Sequence, residues 1–222
     1  MVEIVAEISG NHGGSLSKAK RMIAAAGACD CDYAKFQFYR PEDMPDRHEG
    51  DNDAMYRRLM VPDEWLPELF DQARRSCIGL FASVFSVRAV ETLLKFDVPY
   101  IKIASPESTR LPMKIYEAID EARGEVDLIV SSGLEDAESL RHLGGYRMFC
   151  PPGYPPKSVD FGDWHWDGFS DHSPGIERPL RVLRQQAVHM IEKHFKIDND
   201  CVDAAFSADP PTMELLCKLA HR

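Results

Sequence analysis

Apolar and polar positions along the 222-residue chain switch repeatedly between two periods. Short runs rich in Val, Ile, Ala and Phe read as buried strands, and the stretches between them repeat their apolar residues at helical spacing. Strands are predicted over 2–8, 33–38, 78–83, 99–104, 127–131, 146–150, 168–172 and 191–195, and helices over 16–26, 63–76, 87–96, 112–122, 135–142, 176–187 and 210–221. Ser15 is placed to cap the first helix, Gly27 to end it, and Pro62 to open the second. Two segments break the rhythm. Residues 40–60 form a long polar loop crowded with acids, and a long loop inside a compact domain is usually functional or mobile. Residues 151–167 are dense in proline and glycine, so the helix expected after the sixth strand is missing or reduced.

Strands alternating with helices imply a parallel sheet with helical crossovers. No G-x-G-x-x-G follows the first strand, which removes the main signature of a dinucleotide-binding open sheet. The fold class is therefore α/β, a small (β/α)8 TIM barrel, with residues 1–222 forming a single domain. A hydrophobic content of 44% suffices for one substantial core.

A net charge of −10 and a pI near 5.3 argue against nucleic acid as a partner. They leave a small anion open, because a basic pocket can sit inside an acidic protein. No apolar run reaches membrane-spanning length, and Met1 leads directly into a strand-like segment, so no membrane association and a cytoplasmic location are expected. The six cysteines are scattered without zinc or redox spacing, as expected of reduced thiols.

In a (β/α)8 barrel the active site lies at the C-terminal rim of the strands. Glu7, Lys35, Gln37, Ser83, Lys102, Ser105, Glu107, Ser131, Ser132, Tyr154, Ser170, His172 and His194 all fall at or just beyond predicted strand ends. Lys35 and Lys102, with the serine hydroxyls, suit a phosphate or a phosphate-plus-carboxylate ligand. His172 and His194 end neighbouring strands, and parallel strands lie about 5 Å apart, so both imidazoles can aim at one divalent cation with open positions. Glu7 and Glu107 could hold sugar hydroxyls or move protons. Plainer readings fit other residues. Trp164 and Trp166 cover the barrel where its helix is missing, the acids at 42–53 are a solvated loop face or else a lid, His12 sits near the site or steadies the first loop, and His189 is a satisfied structural histidine.

Several segments resemble the sialic acid synthase family. They are Ala6-Glu7-Ile8-x-x-Asn11-His12-x-Gly14, Lys35-Phe36-Gln37, Tyr100-Ile101-Lys102-Ile103-Ala104-Ser105-Pro106-Glu107, Ser131-Ser132-Gly133, Ser170-Asp171-His172 and Ile191-Glu192-Lys193-His194-Phe195. The resemblance runs from about residue 3 to about residue 215. It implies a TIM barrel that condenses phosphoenolpyruvate with an N-acetylated amino sugar aldehyde, a carbon–carbon bond-forming synthase making nonulosonic acids. By the same resemblance His172 and His194 would hold Mn²⁺ or Mg²⁺, and Lys35, Lys102, Ser83, Ser105, Ser132 and Ser170 would bind phosphoenolpyruvate. Gln37, Glu107 and Tyr154, with Asp203 and Asn52 as looser matches, would meet the sugar, and Glu7 would lie near the metal and the attacking water. Related barrels pair as homodimers. The chain also departs from the family. Pro151-Pro152 replaces a Thr-Asn before Tyr154-Pro155, Asp200-Cys201-Val202-Asp203 replaces an Arg-x-Gly-Pro-Asp loop, and no C-terminal antifreeze-like domain is expected after Arg222. The metal and phosphate half of the site is retained while the sugar half is altered. A barrel that binds a phosphorylated ligand without turnover, and a metal-dependent aldolase or lyase, are the competing readings.

Overall fold

Eight parallel strands close on themselves in chain order: β1 (Glu3–Glu7), β2 (Tyr33–Phe38), β3 (Gly79–Val84), β4 (Tyr100–Ile103), β5 (Asp127–Ser132), β6 (Tyr146–Phe149), β7 (Gly168–Asp171) and β8 (Met190–His194). Closure comes from β8 pairing with β1, in a register that sets His194 beside Glu7. The helices are α1 (Leu16–Ala28), α2 (Asn52–Leu59), α3 (Leu66–Arg75), α4 (Val87–Leu93), α5 (Met113–Glu121), α6 (Glu177–Gln185) and α7 (Pro210–Ala220). This is the (β/α)8 barrel expected from the alternation. The computed structural model describes residues 1–105, 113–122, 124, 126–133, 143–157, 165–185 and 187–222. The helix predicted over 135–142 and the residues Glu107 and Trp164 lie outside the described residues.

Strand side chains alternate between two cores, as a period of two requires. Ile4, Ala34, Phe36, Ala82, Ile101, Ile103, Val130, Phe149, Phe169 and Ile191 belong to the core between sheet and helices. Val5, Phe81, Tyr100, Ile129, Met148 and Met190, with Tyr33 packed against them, plug the barrel interior. Tyr33, Phe81 and Tyr100 meet edge to face with centroids 5.3–5.7 Å apart, a geometry favoured by the ring quadrupoles. The inward position two residues further along is charged or a serine on every strand but β6, where it is Cys150, so the plug becomes the floor on which the site is built.

Several boundaries differ from expectation for local reasons. Gly27 does not end α1 but lies within it, because a Cβ there would meet the Ser76 carbonyl oxygen at 2.6 Å. Small size, not turn geometry, is what that position needs. Ser15 caps the helix as expected, accepting from the Lys18 N–H at 3.2 Å. The segment 40–60 is not a plain loop. It contains a 3-10 turn (Pro41–Asp43) and α2, with Asp53 in the first turn, Arg57 and Arg58 in the last, and an Arg57–Asp53 pair at 2.8 Å. The helix predicted over 63–76 divides into a 3-10 turn (Asp63–Trp65) and α3. No helix occurs between β6 and β7 among the described residues, and Trp166, just before β7, packs on Phe149 with centroids 5.1 Å apart. No helix among the described residues is long and apolar enough to cross a membrane.

Candidate active site at the C-terminal rim

Above the apolar plug the inward positions carry Glu7, Lys35, Ser83, Lys102, Ser131, Ser170 and Glu192, all buried. They floor a cavity of about 390 Å³ at the C-terminal rim. Gln37, Ser105, Tyr154, His172, His194 and Asp203 line its upper part. On the side of α2 and the loop after β8 the wall is apolar and aromatic, built from Tyr39, Met55, Tyr56, Leu59 and Val202.

The floor is a network of four buried charges. Lys35 Nζ pairs with Glu7, donates to Ser83 Oγ at 3.0 Å, and lies 3.7 Å from Glu192 Oε2. Lys102 Nζ donates to Glu192 Oε1 at 2.8 Å, and Ser170 Oγ donates to the same oxygen at 3.0 Å. Two lysines and two glutamates sum to zero, the condition under which buried charges are tolerated. Burial would push the Glu192 carboxyl up, but Lys102 and Lys35 outweigh it and hold the group at about 2. For Glu7 burial wins, and its carboxyl lies above the ordinary range despite Lys35. Burial lowers Lys102, with Glu192 opposing, whereas at Lys35 the two glutamates overcome burial and raise it. Glu7 Oε1, Glu192 Oε2 and Ser131 Oγ are buried without a hydrogen-bond partner among protein atoms. These atoms mark the floor as built for more partners than the chain supplies.

The two histidines meet over this floor, with ring centroids 5.1 Å apart and planes at 68°. Burial, then His194, lowers His172 well below the usual imidazole range, so it is neutral and able to ligate. Tyr154 stacks on it at 4.2 Å, and His194 Nδ1 lies 3.0 Å from Asp203 Oδ2. Behind the cavity, Lys193 Nζ donates to Asp171 Oδ2 at 2.6 Å and to the Ser173 carbonyl, pinning the turn that carries His172. No group of three His, Cys, Asp or Glu residues converges on one point among the described residues. Among the described residues the cavity thus offers the imidazoles of His172 and His194, beside carboxylate and hydroxyl oxygens. That set fits a divalent cation with an open coordination sphere.

Most of the expected residues come together here, and a few do not. Ser132 is buried but not among the cavity-lining residues. Inward Ile129 fixes the alternation of β5, which makes Ser131 the lining serine. Asn52 donates to the Asp46 carbonyl at 3.0 Å and is absent from the lining. His12 is buried between Phe36 and Trp65 and accepts from the Gly14 N–H at 3.1 Å, which steadies the first loop. His189 is exposed just before β8 and is not an interior histidine. Of the segment 40–60, Met55, Tyr56 and Leu59 reach the cavity. Glu192 and Cys150 were not singled out as site residues by sequence reasoning, and Ser131 was placed at the rim without a ligand role. Glu192 had a signal, since it stands two residues before His194 on one strand and so shares its face.

A closed parallel barrel with a buried lysine–glutamate floor and two rim histidines defines a (β/α)8 protein with a lysine-, serine- and imidazole-lined cavity at its C-terminal rim. Residues 22–143 and 160–222 match the model of the NeuB family, and the chain belongs to that family. It is 33% identical to the pseudaminic acid synthase of Helicobacter pylori over 93% of this chain and 70% of that protein. It is 29% identical to the N-acetylneuraminate-9-phosphate synthase of Mus musculus over 96% of this chain and 67% of that protein. The fold superposes on the N-acetylneuraminic acid (sialic acid) synthetase of Leptospira borgpetersenii, solved in complex with citrate, with a TM-score of 0.85 and 26% identity, covering 100% of this chain and 83% of that one.

Proposed function

We propose that the chain condenses phosphoenolpyruvate with the aldehyde of an N-acetylated amino sugar, giving a nonulosonic acid and inorganic phosphate. The observation that carries this reading is Lys35, Lys102, Ser83 and Ser170 gathered on the floor of the cavity that His172 and His194 overhang. Two ammonium groups and several hydroxyls can engage both phosphate and carboxylate. The match to relatives named pseudaminic acid synthase and N-acetylneuraminate-9-phosphate synthase supports the same class. The apolar wall of Met55, Leu59 and Val202 suits methyl-bearing substituents such as acetamido groups.

His172 and His194 would hold Mn²⁺ or Mg²⁺, which when bound supplies Lewis acidity toward the sugar carbonyl oxygen. In the reaction, C3 of phosphoenolpyruvate forms a bond to the aldehyde carbon, and the aldehyde oxygen takes a proton to become a hydroxyl. Water then adds to C2, losing a proton, and the C2–O bond to phosphate breaks as the new C2 hydroxyl gives its proton to the departing phosphate, leaving the 2-oxo acid. The lysines and serines donate to the phosphate and carboxylate oxygens and so orient the enol. Glu7, with its carboxyl raised by burial, is placed to carry the proton released by the water. Gln37, Tyr154 and Asp203 stand at the upper cavity where a sugar would lie.

The test is phosphate release from phosphoenolpyruvate with Mn²⁺ against a panel of N-acetylated amino sugars, beside His172→Ala. Release that depends on one sugar and disappears in the variant supports the reading. If the protein binds neither phosphoenolpyruvate nor Mn²⁺, the reading is wrong.

A further inference from the structure

Asn11, in the loop after β1, has no role in the reading above, yet it is completely buried and both polar atoms of its side chain are engaged. Its Nδ2 donates to the Phe195 carbonyl at 2.9 Å and to Ser207 Oγ at 3.0 Å. Its Oδ1 accepts from the Asp203 N–H at 2.9 Å. The amide orientation is fixed by these partners, since a carbonyl can only accept and a backbone N–H can only donate. Ser207 Oγ in turn donates to the Asp203 carbonyl at 2.7 Å. Asp203 is thus held at both its N–H and its C=O, one directly by Asn11 and the other through Ser207. The Phe195 carbonyl bound by the same amide belongs to the residue directly after His194.

Held this way, Asp203 places Oδ2 3.0 Å from His194 Nδ1. The contact is close but not aligned as a hydrogen bond, and Nδ1 has no formal partner. A carboxylate at Nδ1 selects the tautomer that carries its proton there and frees Nε2 to accept or ligate. We propose that Asn11 is a positioning residue that sets the His194 tautomer through Asp203. Asp203 then serves His194 in addition to, or instead of, meeting the sugar. The consequence for a metal rests on the proposed function, but the tautomer does not.

The experiment reads both. Nitrogen-15 spectra of the imidazoles, with His194 assigned by a His194→Gln comparison, report its tautomer without any metal. Mn²⁺ titration followed by electron paramagnetic resonance reports the affinity. Wild type is compared with Asp203→Asn, Asn11→Ala, the double variant and Asn11→Asp, each with its melting temperature. Asp203→Asn and Asn11→Ala are expected to erode the Nδ1–H tautomer and weaken Mn²⁺ about 10- to 100-fold. The double variant is expected to be no weaker than Asp203→Asn alone, because the two act in series. Asn11→Asp keeps an acceptor for the Asp203 N–H and loses the donors. It is expected to lower the melting temperature while keeping the wild-type tautomer, and it decides the question if Asn11→Ala does not fold.

An unchanged tautomer in Asp203→Asn or in folded Asn11→Ala overturns the proposal. So does a tautomer that shifts in Asn11→Asp in step with its stability, or additive losses in the double variant. If wild type shows the expected tautomer dependence but binds no Mn²⁺, the metal reading fails while the positioning role stands.

Discussion

Replacing Glu192 with Gln tests the charge balance of the floor. The carboxylate is buried, accepts from Lys102 at 2.8 Å and from Ser170 at 3.0 Å, and sits 3.7 Å from Lys35. Glutamine keeps the volume and an acceptor oxygen but removes the charge, leaving two lysines against Glu7 alone. A carboxyl held at about 2 instead of near 4.5 corresponds to roughly 3 kcal/mol of preference for its charged form in the folded state. Breaking a buried ion pair by removing one partner costs about 3–5 kcal/mol, and the retained acceptor argues for the lower end. At roughly 2–4 °C per kcal/mol for a domain of this size, a fall in Tm of about 6–12 °C is expected near neutral pH. The folded-state value is depressed, so this stability is present above about 4.5 and is lost as pH falls toward about 2. The gap between wild type and Glu192→Gln should therefore shrink over that window in thermal or urea unfolding. A net positive floor should also bind inorganic phosphate more tightly than the wild type does, measured by calorimetry. Equal melting temperatures at pH 7, or a gap that does not change with pH, would show that Glu192 does not neutralise the lysines and would refute the reasoning.

Three further outcomes follow from the same geometry. Ser131→Ala should raise the KM for phosphoenolpyruvate about 3- to 10-fold, the worth of one hydrogen bond, while Ser132→Ala leaves it unchanged; steady-state kinetics on the pair separates the two faces of β5. Lys193→Met leaves Asp171 buried and unpaired, so urea unfolding should show a loss of about 3–5 kcal/mol. Gly27→Ala would ordinarily stabilise a helix interior, but the Ser76 carbonyl at 2.6 Å reverses the sign, and chemical unfolding should show a loss of about 1–3 kcal/mol.

The architecture was legible because a parallel barrel leaves a plain trace. Strands buried on both faces give apolar runs, and every crossover inserts a helical stretch between them. Boundaries were less legible where tertiary contact overrides local preference. Gly27 looks like a helix terminator until the nearby Ser76 carbonyl is known. The segment 40–60 looked like a loop because α2 buries only Leu59, and its end charges and the Arg57–Asp53 pair help hold it instead of an apolar stripe. Neither fact has a periodicity that a hydrophobic pattern can report.

The site divides in the same way. Lys35, Lys102, His172 and His194 stand out as charged or ligating side chains in or next to otherwise apolar runs, and the structure gathers them at one cavity. Ser131 and Ser132 both stand at the end of a predicted strand, and the resemblance pointed to Ser132; a strand's end says nothing about which of two neighbours turns inward, and only an anchored register, here inward Ile129, decides that. Glu192 was quoted within a motif yet passed over, although a period of two places it directly beneath His194. Its role has no signature in its own neighbourhood, because it depends on Lys102 and Lys35 arriving from β4 and β2. The lysines announce an anion site, but the glutamates decide that the resting floor is neutral. A phosphorylated anion added to a neutral floor adds negative charge beside the two histidines. Anion and divalent cation should therefore bind more tightly together than either does alone, by the linkage that couples any two ligands of opposite charge in one low-dielectric site.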